Sequence, residues 1–438
     1  MTAARGRQSD DHLGCREVLI VILYHSQLNL LDVPECFLKD LTSMTTSSPT
    51  PSKPATHGGA PGFSERFRFI KPTLPDLQAV VAQYQSSYKG GLITNGSIVQ
   101  GFERAVAERL GVKHCIAVSS CTSGLMLVLR ALGVTGEVIV PSFTFFATGH
   151  AVVWNGLTPV FADCDPANWT VDPIDVEARI TERTSAIIAV HMYGNPCAVE
   201  ALEKLAARCK LKLIFDAAHA FGSKRGTRPV GQFGDAEVFS LSPTKLLVAG
   251  EGGLISTNDT FLNHLLRAAR NYGDLGAYDP ELIGLNARMP EFNAALGMAG
   301  LAILDAKVAR HNAIAGHYSE LLSSIPGLCF QKVAHDDVCT YKDYSVCVDA
   351  GTAGITRDEL ACALLAENIE TKKYFYPPLH RQKLYRKYCD GGRGWPHTDS
   401  VSETVLSLPI YESLSDETVV RVARAIRRVV QSQTGSST

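Results

Sequence analysis

A lysine in an apolar setting is the most suggestive residue of this chain. Lys245 ends the run Phe239-Ser240-Leu241-Ser242-Pro243-Thr244-Lys245, and Gly250-Glu251-Gly252-Gly253 follows shortly after. Between a strand-like run and a glycine turn an ammonium is costly to hold, because desolvation favours the neutral amine. A neutral amine is a nucleophile that condenses with carbonyls to form a Schiff base. Asp216 stands just past a second apolar run, Leu213-Ile214-Phe215. A carboxylate there suits a buried cation such as a protonated ring nitrogen, and it is equally suited to cap the segment that follows. His219 could bond that carboxylate or a ring hydroxyl, or simply be a satisfied core histidine.

Ser119-Ser120-Cys121-Thr122-Ser123-Gly124 joins a strand-like segment to a helical one. Hydroxyls and backbone N–H groups at a helix start can hold a phosphate, and the same residues can serve as an ordinary N-cap. Ser240 is a second candidate phosphate ligand. Phe145 and Phe146 offer an aromatic face for a flat ring, or core packing. No GxGxxG or GxxxxGK[ST] pattern is present, so neither a dinucleotide fold nor a P-loop is supported. Taken in order, the segments read strand–phosphate turn–helix, aromatic, strand–Asp, strand–Lys. That is the layout of a fold type I enzyme that uses pyridoxal 5′-phosphate (PLP).

The elements that must position these residues follow from periodicity. Val99, Phe102, Val106 and Leu110 share one helical face over 98–110. Apolar runs at 115–118, 138–141, 159–161, 186–190, 213–215, 238–241 and 254–256 read as buried strands. Helices are expected at 122–132, 145–154 and 199–209. Continuous apolar strands separated by helices predict an α/β fold with a largely parallel sheet covered on both faces. A long Ala/Gly/Leu-rich helix is expected from Pro290 toward Leu322, followed by a smaller α+β region with a strand at 345–348 and helices at 357–367 and 416–431.

The 438 residues carry a net charge of −2, which gives no reason to expect nucleic acid or an anionic membrane as partner. Twelve cysteines without CxxC or Cys/His metal spacing read as free thiols in a reducing cytoplasm, with no metal site. Val18 to Tyr24 is too short an apolar run to span a bilayer, and acidic residues before it argue against a signal peptide. Residues 1–62 are expected to be a disordered or mis-annotated extension, with Met44 as an alternative start.

Over residues 69 to 427 the chain resembles the DegT/StrS family of PLP-dependent sugar aminotransferases. The matching segments are 119–125, 141–148, His191-Met192-Tyr193-Gly194, 216–222, 239–253, 284–296, 376–380 and 406–414. The resemblance implies a fold type I, aspartate aminotransferase-like transferase. It would have a mostly parallel seven-stranded sheet in a large PLP-binding domain, 63–322, and a small C-terminal α+β domain, 323–438. It implies Lys245 as the Schiff-base lysine and Asp216 as partner of the ring nitrogen. Thr122, Ser123 and Ser240 would hold the phosphate, Phe145 would stack on the ring, and His219 would lie near its hydroxyl. Asn286 would reach the phosphate of the neighbouring subunit's cofactor, making the site depend on a homodimer. Two positions depart from the family pattern: Cys121 replaces a glycine or alanine, and Ala287 replaces an aromatic, which would open the substrate pocket.

The expected reaction moves an amino group from glutamate or glutamine to a nucleotide-linked keto-sugar, a keto-deoxyhexose, in amino-sugar biosynthesis with ping-pong kinetics. A cyclitol ketone is an alternative acceptor. A related dehydratase branch carries His in place of the lysine, and a non-catalytic regulatory homologue would not need Lys245 and Asp216 together. Arg225, Arg228, Arg288 and Lys372 are candidate contacts for a diphosphate or donor carboxylate.

Overall fold

Short, wholly apolar segments with little polar alternation can be satisfied only inside a sheet covered on both faces. In the computed structural model, which describes residues 53–389 and 392–434, such segments build the central sheet. Its strands are β1 His114–Val118, β2 Glu137–Pro141, β3 Thr158–Ala162, β4 Thr184–Val190 and β5 Lys212–Asp216. After a small hairpin, β6 Lys224–Arg225 and β7 Arg228–Pro229, come β8 Ala236–Ser240 and β9 Gly253–Thr257. The order across the sheet is β1-β9-β8-β5-β4-β2-β3, seven strands as the family resemblance implied. Only β9 runs against its neighbours, pairing antiparallel with both β1 and β8. The reason is the link between β8 and β9, the Lys245 segment, which contains no crossover helix to return the chain for parallel pairing.

One face of the sheet packs against helices Ser97–Leu110, Val199–Cys209 and the first half of the long helix Glu291–Leu322. The other face is covered by helices Cys121–Ala131, Phe146–Trp154 and Thr260–Ala269. The long helix is apolar enough in composition to cross a membrane, yet it serves here as a core helix. Phe102, Ala294, Ala295 and Leu304 share the core of the large sheet, whereas Ile314, Tyr318 and Leu322 belong to a second core. That second core lies around β10 Leu328–Phe330, β11 Tyr344–Val348 and β12 Val405–Leu408 with helices Arg357–Ala366 and Asp416–Thr434.

The periodicity left out helices Leu77–Lys89, Thr260–Ala269 and Pro396–Thr404, the short helices Pro173–Ala178 and Ala350–Ala353, and both outer strands of the small sheet, β10 and β12. Leu77–Lys89 buries only Val80 and Ser87, so it shows little apolar stripe. The Phe145–Trp154 expectation shifts by one residue, because Phe145 has extended backbone and stands as the N-cap of the helix. Residues 1–52, which hold Met44 and the Val18 to Tyr24 run, lie outside the described residues. The stretch from 53 to 62, expected as the end of the disordered or mis-annotated extension, instead carries a 3₁₀ turn at Ala55–His57. Its Ala55 and Gly62 amides donate to the buried Glu367 carboxylate at 2.8 and 2.6 Å.

Candidate active site

In open α/β sheets ligands gather at the carboxyl ends of the parallel strands, and the residues with chemical potential lie there. β1 runs into Ser119 and the start of helix Cys121–Ala131, β5 ends on Asp216, and β8 ends on Ser240. Gly253 pairs with Val118 on one side and Ser240 on the other, so it lies between two of these ends. A Cβ on Gly253 would come within 2.6 Å of the Cys121 amide nitrogen and 2.7 Å of the Ser120 carbonyl oxygen. The glycine therefore lets the helix start sit directly on β9. A Cβ on Gly124 would meet Val238 at 2.7 Å, so its absence seats the same helix closely against β8.

Asp216 is buried and its carboxylate is held from two sides. Thr148 donates to Oδ2 at 2.7 Å and the Ala218 amide to Oδ1 at 3.1 Å. The Cys121 thiol lies 3.9 Å from Oδ1 and 3.6 Å from the Val238 carbonyl oxygen. Burial raises the Asp216 pKa above the usual carboxylate value, against the lowering action of Thr148, Ala218 and the Lys245 charge. Burial, reinforced by Asp216, keeps Cys121 protonated.

Lys245 is partly buried, and burial lowers its pKa to about 8. Lys342 adds to the lowering, while Asp343, Cys121 and Asp216 oppose it, all through space. The amine is thus far more readily neutral than an ordinary lysine, in the direction its apolar flanks suggested. His219 is pushed well below the usual imidazole range by burial, then by Lys245 and Lys342. Its Nδ1 accepts the Tyr193 amide at 3.2 Å, which assigns the ring proton to Nε2. The His219 ring stacks on Phe375 and Tyr193, and Phe375 in turn lies 5.9 Å from Phe145. Phe145 itself is 44% exposed, a large apolar surface free to cover a flat ring.

The helix start is more committed than its sequence suggested. Ser120 and Ser123 form a reciprocal capping box, and the Ser123 hydroxyl also donates to the Ser120 carbonyl at 2.9 Å. Thr122, one residue earlier, is partly exposed and takes no part in that box. The Ser240 hydroxyl makes long contacts to Ser242, 3.4 Å to its hydroxyl and 3.5 Å to its amide. Asn286 is exposed, and the next carbonyl, Ala287, accepts the Ser119 amide at 2.8 Å. Ala287 itself is fully buried in the core beneath the sheet, so its small side chain does not open a pocket, contrary to expectation. Arg225 is taken up by Glu200 and Asp337, Arg228 lies over Phe233, and Arg288 lies over Tyr272.

Sequence reasoning assigned no role to Thr148, Tyr193, Phe375, Thr340 or Lys342, all of which shape this site. Thr148 and Tyr193 fall inside matched segments, a usable signal. Lys342, in Tyr341-Lys342-Asp343-Tyr344, is a lysine between aromatics, the kind of setting that drew attention to Lys245.

This donor set fits a phosphorylated pyridine aldehyde. Asp216 keeps unused acceptor capacity for a ring N–H, and His219 Nε2–H can face a ring oxygen. Hydroxyls of Thr122 and Ser240, with the amides of the helix start, can meet a phosphate. Lys245 supplies the amine.

Residues 77–427 match the profile of the DegT/DnrJ/EryC1/StrS aminotransferase family. The chain is 35% identical over 387 residues to the spore coat polysaccharide biosynthesis protein SpsC of Bacillus subtilis (strain 168), covering 84% of this chain and 98% of that one. It is 33% identical to a dTDP-4-amino-4,6-dideoxy-D-glucose transaminase of Escherichia coli, covering 81% and 96%. A crystal structure of DesI in the presence of its TDP-sugar product superimposes with a TM-score of 0.82 at 37% identity, covering 89% of this chain and 99% of that chain.

Proposed function

The chain belongs to the DegT/DnrJ/EryC1/StrS aminotransferase family, and on that footing we propose that it transfers an amino group from glutamate or glutamine to a nucleotide-linked keto-sugar, with PLP as cofactor. The observation that carries the reading is the pair of Lys245 and Asp216. They act on each other through space, an amine lowered to about pKa 8 and a buried carboxylate at the end of β5 without a bonded cation among the described residues. The nucleotide-sugar acceptor rests on the dTDP-sugar transaminase and the TDP-sugar-bound DesI structure.

When bound, the cofactor supplies an electron-accepting pyridinium ring that stabilises negative charge on the donor's α-carbon. Asp216 holds the ring nitrogen protonated, and Thr148 and the Ala218 amide hold Asp216 in place. Phe145 would cover the ring, His219 would donate from Nε2 to the ring oxygen, and Thr122, Ser123 and Ser240 would anchor the phosphate. Of these Ser123 reaches the phosphate only when its capping box opens, because its amide and its hydroxyl are both engaged by Ser120. Lys245 Nζ would hold the cofactor in the resting enzyme, would take the donor's α-proton, and in the second half-reaction would give a proton to the sugar carbon that receives the nitrogen. The enzyme works in the cytoplasm as a homodimer in which Asn286 completes the partner's phosphate site.

A half-reaction screen tests this reading. Enzyme preloaded with pyridoxamine phosphate is mixed with a panel of nucleotide keto-sugars and cyclitol ketones, and return of the yellow absorbance identifies the acceptor. Response to none of them, with no colour change on adding glutamate or glutamine to the PLP form, overturns the aminotransferase assignment. For Asn286, mixed dimers of Lys245→Ala and Asn286→Ala subunits should regain one working site, and no recovery would refute the shared site.

A further inference from the structure

Behind Lys245 lies a small cavity whose charged lining the reaction above does not use. Lys71, His311, Lys342 and Glu412 share it with Lys245 and Thr244. Lys342 is 5% exposed and its ammonium is 2.8 Å from Asp343 Oδ1, while Asp343 Oδ2 is buried with no hydrogen-bond partner. The Lys342 ammonium is thus fixed between Asp343 and the Tyr374 ring, 5.5 Å from its centroid, and one oxygen of the carboxylate beside it stays unsatisfied among the described residues.

The segment bearing Lys342 is sewn onto the loops after β4 and β5. Its amide donates to the Tyr193 carbonyl at 2.9 Å, and the Tyr193 amide donates to His219 Nδ1. Thr340 donates to the His219 carbonyl at 2.7 Å and contacts Ser223 at 3.2 Å. A Cβ on Gly194 would fall 1.9 Å from the Thr340 hydroxyl, so the two segments approach as closely as glycine permits. These contacts leave Lys342 little freedom to swing away from the wall it shares with Lys245.

We propose that Lys342 is a positioning residue for the reaction: a fixed, buried cation that opposes a second ammonium in the same cavity and so leaves Lys245 available as an amine. The inference rests on the role assigned to Lys245 above. Each element around Lys245 brings a charge or titratable group: Asp216 from β5, Cys121 from the helix start, Lys71 from the segment before helix Leu77–Lys89, His311 from the long helix, Glu412 after β12, and Asp343 beside Lys342. Among the groups acting on the lysine through space Lys342 has the largest effect, exceeding Asp343 despite their contact, and it also lowers His219. One cation thus adds to what burial does at two groups: the amine that must move a proton and the imidazole that must donate one.

Competitive acetylation of the full-length, cofactor-free protein with acetic anhydride, quantified for each lysine by mass spectrometry across pH 6 to ~11, reads the Lys245 midpoint without depending on turnover. We expect a midpoint near 8 in the wild type, a rise of roughly one unit in Lys342→Met, and a near-wild-type value in Lys342→Arg. An unchanged midpoint in Lys342→Met overturns the proposal. Because that variant strands the Asp343 carboxylate and can fail to fold, Lys342→Met/Asp343→Asn is the second arm. There a smaller rise is expected, and a fall or no change overturns the proposal. A wild-type midpoint near 8 together with silence in the keto-sugar screen would instead refute the aminotransferase reading and leave this electrostatic arrangement standing.

Discussion

Two buried carboxylates near the large sheet are built in opposite ways. Glu103, on helix Ser97–Leu110, is saturated: Arg270 contacts Oε1, Arg267 contacts Oε2 at 3.0 Å, and the Ala117 amide donates to Oε1 at 2.9 Å. Asp216 accepts from a threonine and one amide, with a thiol beyond them, and Lys245 acts on it only through space. The first carboxylate ties a helix to β1 and leaves nothing over for a ligand. The second retains acceptor capacity, at the cost of a pKa raised by burial. Full compensation marks structure, and partial compensation at a strand end marks a site that awaits a charge from outside.

The largest effect that could break this contrast is on turnover. Lys245→Ala should reduce amino transfer to below roughly a thousandth of wild type, since general acid–base catalysis alone contributes about 10²–10⁴. Steady-state assay with the acceptor found by the screen checks it, and wild-type turnover would remove Lys245 from the site. Next comes Glu103→Ala. It leaves Arg270 buried and uncompensated and should lower the unfolding free energy by about 3–5 kcal/mol, measured by urea denaturation. Asp216→Asn should behave differently: unfolding of the cofactor-free protein within about 1 kcal/mol of wild type, but cofactor binding weaker by about tenfold or more, read by equilibrium dialysis. Equal destabilisation by Glu103→Ala and Asp216→Asn would erase the distinction.

The smallest predicted effect concerns pH. The folded Lys245 loses its proton near 8, whereas the unfolded lysine keeps it to about 10.5. Between those values the unfolded chain binds more protons, so stability of the cofactor-free protein should rise with pH across that window and carry the full penalty below it. Urea midpoints of wild type and Lys245→Met at pH 7.5 and ~10 give the test, and the variant should lack that increment.

Much of the site was legible because its local chemistry is unusual. A lysine among apolar residues, an aspartate closing an apolar strand, and hydroxyls at a helix start are each recognisable from neighbours along the chain. Thr148 was not, because a threonine one turn inside a helix looks like any other until β5 brings Asp216 opposite it. Ala287 misled for the same reason: a small residue reads as an opened pocket or as tight packing, and only its burial decides. The capping box showed that the helix start divides its groups, with Ser120 and Ser123 occupied by each other and Thr122 outside the box.

By itself the sequence determined the strands of the large sheet, most of the helices that cover it and which groups could react, because helical and strand periodicity and the cost of burying an amine act over a few neighbouring residues. The tertiary structure alone decided that β9 runs antiparallel, that Gly253 seats the helix start between two strand ends, and that Lys342 stands behind Lys245. Those outcomes depend on which segments meet in three dimensions. The electrostatics of a buried group is set by whatever charges the fold places within a few ångströms of it, however far away they lie along the chain.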